Sequence, residues 1–295
     1  MVNSAAFEKN IIEHKNARKV FDPDVIKIMN DTLMMMPVDL SIIKEAADLR
    51  KIKPFSMGSN FVKKSVELTK RSLECFEDSD APIYTTAFSP SYTLRWFMRD
   101  REEDLLQFIE EDPRSLAIAL KSIAQSLIEF NRVLIEETGV EGFYYCVNNQ
   151  NNFFEDSLFK AYVAPYEMEV LEKANDLSDI NILHICGYDG LSNDLKLFKD
   201  FEAAAFNWDV EAEGVSLTEG KKLFGGKAVI GGFEQDQVIY TGTREEIEKA
   251  TFDILDECGQ IGTIIGAGCT LPTDIEEIRL EWVRQASIKY AVGSQ

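Results

Sequence analysis

From Pro82 onward the chain alternates short apolar runs with longer amphipathic stretches. The apolar runs cover residues 83–88, 142–147, 180–186, 203–208, 228–233 and 263–266. Each is strand-length and rich in branched or aromatic residues, the pattern of strands buried on both faces. Residues 102–110, 113–137, 156–174, 217–223 and 244–258 lie between them and show helical periodicity. This alternation predicts an α/β fold with a parallel sheet. A doubly wound sheet accepts six strands, whereas a (β/α)8 barrel needs two more. Residues 54–59 are a candidate for one of those two.

The first 78 residues read mostly as helix. Asp22-Pro23-Asp24 has the form of a helix start, with Val25, Ile28 and Met29 following at helical spacing. Residues 41–49 and 61–76 read the same way. No Pro/Gly/Ser-rich linker divides the chain, so residues 1–78 are expected to form one domain with residues 79–295.

Two strand ends carry the chemistry. Asn181-Ile-Leu-His184-Ile-Cys186-Gly187 sets an imidazole and a thiol two positions apart, and alternate residues of a strand face the same way. Far downstream, Thr263-Ile-Ile-Gly-Ala-Gly-Cys269 ends in the same manner, and Thr270 to Asp274 reads as a helix start before Ile275. One nitrogen and two sulfurs suit Zn²⁺ with a fourth position open, the arrangement of catalytic zinc. A buried cysteine is also a good small core residue, so an His-x-Cys pair alone leaves both readings open. Cys75, Cys146 and Cys258 lie inside apparent helices or strands and read as core.

Composition narrows the partners. The net charge is −20, which argues against nucleic acid and, in the absence of an arginine cluster, against a polyanionic substrate. Five scattered cysteines suit reduced thiols or metal ligands rather than a disulfide framework. The N-terminus has no apolar signal-peptide core, and no run approaches the ~18 apolar residues of a membrane span. A cytoplasmic location is the expectation. The glycines Gly225, Gly226, Gly231 and Gly232 read as turns flanking a strand, not as a nucleotide-binding loop.

The chain from about Ala81 to Tyr290 resembles the uroporphyrinogen decarboxylase superfamily. The matching stretches are residues 82–90, 183–187, 206–209, 221–233 and 266–273. The resemblance implies a (β/α)8 TIM barrel behind an N-terminal helical segment, and leaves open whether the barrel is truncated at its first strand. Within that superfamily the His-x-Cys…Cys pattern is similar to the methylcobalamin:coenzyme M methyltransferase branch. That branch implies zinc on His184, Cys186 and Cys269, with Asp209 as a catalytic carboxylate or fourth ligand. Ser89, Asn148 and Asn207 are then the expected substrate-binding residues.

The activity implied is methyl transfer between a corrinoid and a thiol or pterin acceptor. Neither His14 nor His184 sits in the Asp-x-His-x-x-Gly pattern that ligates a corrinoid, so the corrinoid is expected on a partner protein. The arginine-rich N-terminal segment of the decarboxylases has no counterpart here. Two alternatives remain at this point: a metal-free decarboxylase-like enzyme, or a non-catalytic barrel that binds a metal or a corrinoid protein.

Overall fold

The computed structural model describes residues 4–28, 39–234, 237–272 and 274–293. All six predicted apolar runs form strands, with ends within two residues of those expected. They are β2 (Ile83–Phe88), β3 (Gly142–Val147), β4 (Ile182–Ile185), β5 (Ala205–Trp208), β6 (Ala228–Phe233) and β7 (Thr263–Ala267). A seventh strand, β1 (Ile26–Ile28), precedes them. Every neighbouring pair is parallel, and the order along the sheet is β1 to β7 without a crossover. Consecutive parallel order with helical returns is the barrel-type β/α arrangement. Among the described residues no ladder closes β7 onto β1.

Several local expectations are corrected. The chain after Asp22-Pro23-Asp24 is not a helix start: Ile26 pairs with Ile83, and Ile26 and Ile28 are buried against Phe7, Leu68 and Phe76. A three-residue strand is too short for its period to be told from a helix by pattern. Met29 lies outside the described residues. Residues 54–59 are irregular, and Ser59 caps the helix Asn60–Leu73 through Val62 N. Residues 41–49 form two 3₁₀ pieces, where the Asp48 carboxylate accepts from the backbone of Lys44 and Glu45. The helix after β7 starts at Ile278 instead of Ile275, and Asp274 accepts from the Tyr240 hydroxyl.

The two faces of the sheet are chemically distinct. Leu183, Ile185, Phe206, Trp208 and Val229 point outward into the main core beneath the surrounding helices. The longest of these, Pro113–Thr138, is capped by Asp112 and stops at Gly139, which takes the left-handed conformation. The inward face begins with an apolar layer of Tyr84, Ile182, Ala205 and Ile230, with half-buried Val25 and Ile264 completing it. Polar side chains stand above that layer, toward the carboxyl ends of the strands.

Around the gap between β7 and β1 the C-terminal helix Ile278–Gly293 supplies a tie. Arg284 pairs with Asp24 at 3.4 Å and with Asp22 at 4.0 Å, just before β1. Among the described residues no helix is long and apolar enough to cross a membrane.

Candidate metal centre

Strand register builds the site row by row. Cys146 on β3 lies opposite His184 on β4, and His184 lies opposite Asn207 on β5. One step further along, the same inward faces carry Asn148, Cys186 and Asp209. The sequence therefore delivers polar groups in layers, because each strand contributes alternate positions to the interior. Cys269 joins from the turn that follows β7.

His184, Cys186 and Cys269 converge so that their ligand atoms all lie within 4.8 Å of one another. Cys186 Sγ and Cys269 Sγ are 4.0 Å apart, and Cys269 Sγ is 3.8 Å from His184 Nε2. Tetrahedral zinc, at about 2.3 Å from sulfur and about 2.0 Å from nitrogen, would set two sulfurs about 3.8 Å apart and nitrogen about 3.6 Å from sulfur. The donor set suits the ion, and these two spacings match it to within a few tenths of an ångström. The two thiols are unequal. Cys269 is held down to about 4 by the hydrogen bond with Cys186 and by His184, while Cys186 is pushed up by Cys269 and by burial.

His184 is held by one side chain. Its Nδ1 lies 2.5 Å from Asn207 Oδ1, which also accepts from the Tyr144 hydroxyl at 2.5 Å. Asn207 Nδ2 donates to the carbonyls of Ile230 and Ala267 at 2.9 and 3.0 Å. These four bonds use all the hydrogen-bonding capacity of the amide, so Asn207, expected to bind substrate, has none left to offer one.

Asp209 stands beside the three ligands rather than among them. Its Oδ1 accepts from Ala212 N at 2.8 Å, capping the short helix Val210–Glu213. Next to it is Glu234, buried at the end of β6, whose Oε1 accepts from Val210 N. Burial and the neighbouring Asp209 raise Glu234 to about 8. Glu213, half-buried, is raised to about 7 by its partial burial. Gly268 makes this crowding possible: a Cβ there would sit 2.5 Å from Glu234 Oε2 and 2.8 Å from Asp209 Cα.

Glu234 was not found by the sequence pattern. An acid directly after a buried strand was the available signal. It was obscured because Gly231 and Gly232, read as turns, lie inside β6 with positive φ and break the two-residue alternation there.

The other expected substrate residues are elsewhere. Ser89 is fully buried, its hydroxyl spent on Glu167 and on Tyr92 N at the start of the helix Pro90–Phe97. Asn148 does face an opening: its Oδ1 accepts from Arg95 at 2.9 Å on the wall of a cleft lined by Tyr92, Trp96, Arg99 and Tyr188. Two guanidiniums four residues apart thus form an arginine pair that the sequence reading had not recognised.

The family model for uroporphyrinogen decarboxylase matches residues 35–290. The chain belongs to that family. No curated protein sequence matches it. Among solved structures, a methyltransferase from Methanosarcina mazei aligns with a TM-score of 0.65 at 13% identity, over 89% of this chain and 82% of its own. A B12-independent methionine synthase from Shewanella sp. W3-18-1 aligns with a TM-score of 0.49 at 15% identity, over 78% of this chain and 68% of its own. At these identities the first likeness speaks for the fold, in agreement with the family match. The second is too slight to build on.

Proposed function

We propose that this uroporphyrinogen decarboxylase-family chain is a zinc-dependent methyltransferase, moving a methyl group between a corrinoid on a partner protein and a thiol or pterin acceptor. The observation that carries the reading is the convergence of His184 Nε2, Cys186 Sγ and Cys269 Sγ at the strand ends. The fold shared with the Methanosarcina mazei methyltransferase supports it without deciding it.

Zinc bound there would supply Lewis acidity, letting an acceptor thiol lose its proton near neutral pH. His184 offers a neutral imidazole, and the two cysteines offer thiolates that leave the filled site uncharged. Asp209, which caps the short helix Val210–Glu213, takes an orienting role at the rim rather than that of a fourth ligand. Asn148 and Arg95, hydrogen-bonded to each other, line the cleft that we assign to the acceptor.

Elemental analysis of protein purified without chelator tests the metal, with about one zinc per chain expected. No zinc, or full retention in Cys269→Ala, refutes the centre. Calorimetry of thiol binding in buffers of different ionisation enthalpy tests the acceptor. Proton release supports thiol activation, and tight binding without it moves the assignment to a pterin acceptor or to the donor side. A second reading has one observation in its favour: Arg95, paired with Glu102, and Arg99 line the cleft, where a metal-free decarboxylase-like enzyme would need a cation for a carboxylate. Full activity in zinc-free protein is its signature.

A further inference from the structure

Asn207 is hydrogen-bonded to both arms of the candidate centre, to His184 on β4 and to Ala267 on β7. We propose that it is a positioning residue with two tasks: to fix His184 as the Nδ1–H tautomer, and to hold the end of β7 so that Cys269 stays within ligating distance. The role in metal binding rests on the zinc reading above; the tautomer does not.

The orientation of the amide follows from its partners. Ile230 O and Ala267 O are carbonyls and only accept, so the two N–H bonds of Asn207 must point at them. Its Oδ1 is then committed to the opposite side, where His184 Nδ1 and the Tyr144 hydroxyl meet it. An oxygen cannot donate, so the proton between Asn207 and the imidazole belongs to His184 Nδ1. In the neutral ring the lone pair is left on Nε2, the nitrogen that faces Cys269. The two carbonyls thus dictate, through one amide, which imidazole nitrogen is free.

The second task depends on reach. Asn207 sits on β5, Ile230 on β6 beside it, and Ala267 at the end of β7. Its Nδ2 bonds cross β6 to grip Ala267, two residues before Cys269. Among the described residues β7 has a ladder partner on β6 alone, so a side-chain bond from the interior adds a further restraint. Orienting partners of this kind typically change metal affinity by about 10- to 100-fold when removed.

The chain has two histidines, His14 and His184, which makes a nitrogen-15 NMR experiment on the metal-free protein direct. In the wild-type chain His184 should carry its proton on Nδ1; a proton on Nε2 overturns the proposal without any variant. Asn207→Leu should mix the tautomers, and a retained Nδ1–H in that variant also overturns it. Asn207→Asp keeps an acceptor for His184 but cannot donate to Ala267. It should preserve the tautomer while amide exchange at the end of β7 quickens, and loss of the tautomer or unchanged exchange refutes the corresponding task. Zinc affinity should fall about 10-fold or more in both variants. Absence of zinc from the wild-type chain, with the tautomer result intact, would remove the metal reading and leave the positioning of His184 standing.

Discussion

β4 and β7 each lead into a candidate ligand, yet they stand in different surroundings. β4 is flanked on both sides, and all four of its residues are buried. β7 has a neighbour on one side and is half-buried throughout. His184 and Cys186 therefore rise from a strand whose position is determined by packing on every side. Cys269 rises from a strand set by one ladder, a side-chain bond from Asn207 and the close fit of Gly268. A centre assembled from one fixed arm and one restrained arm can be preorganised in part and adjusted in part.

The contrast can be broken most sharply with matched substitutions. Ile185→Ala on β4 should cost about 4 kcal/mol in urea unfolding, since the side chain is fully buried in the main core. Ile264→Ala on β7 should cost less, about 2 kcal/mol, because that side chain is only partly buried. Equal losses would mean that the edge is packed as firmly as the centre.

Next in size is a buried carboxyl on the well-packed side. Glu167 accepts from Ser89 and Ser91, and burial raises it to about 7. The native state therefore holds this proton more tightly than the unfolded chain, whose ordinary value is 4.5. Its stabilising contribution is complete below about pH 4.5 and is lost as pH rises through about 7, a change of roughly 3 kcal/mol at most. Glu167→Gln should flatten that decline when urea midpoints are compared at pH 5 and pH 8. An undiminished decline in the variant would assign it to other groups.

A smaller effect is expected at Gly268. Alanine there must displace Glu234 or the backbone at Asp209, moving the Cys269 arm while leaving β4 alone. Zinc affinity should fall about tenfold, or about 1.4 kcal/mol, with little change in unfolding. Unchanged affinity would show that the arm has slack. The smallest effect belongs to Arg284→Ala, which removes partly exposed ion pairs and should cost under about 1 kcal/mol. Its expected signature is faster amide exchange in β1 and β7 with β4 unaffected.

The same contrast explains what the sequence revealed. Six strands were legible because short runs rich in branched and aromatic residues alternate regularly with longer helical stretches. β1 was not, since three residues after a Pro-Asp pair satisfy a helix start equally well. His184, Cys186 and Cys269 stood out by chemistry and strand-end placement. The task of Asn207 was invisible, because it depends on which carbonyls lie across two strands, a relation that exists only after the sheet has curled. Ser89 misled for a similar reason: its resemblance-based role took no account of the buried Glu167 that claims its hydroxyl.

The tie between Arg284 and the aspartates before β1 has a consequence for conditions. Charges as exposed as Asp22 and Asp24 are felt over about 10 Å in 0.1 M salt and over only about 3 Å at 1 M. The apolar layer that includes Val25 and Ile264 is strengthened, not weakened, by salts such as sulfate. Ionic strength and salt identity therefore pull on this seam in opposite directions, and the choice of buffer becomes a dial on the Cys269 arm that leaves His184 and Cys186 where they are.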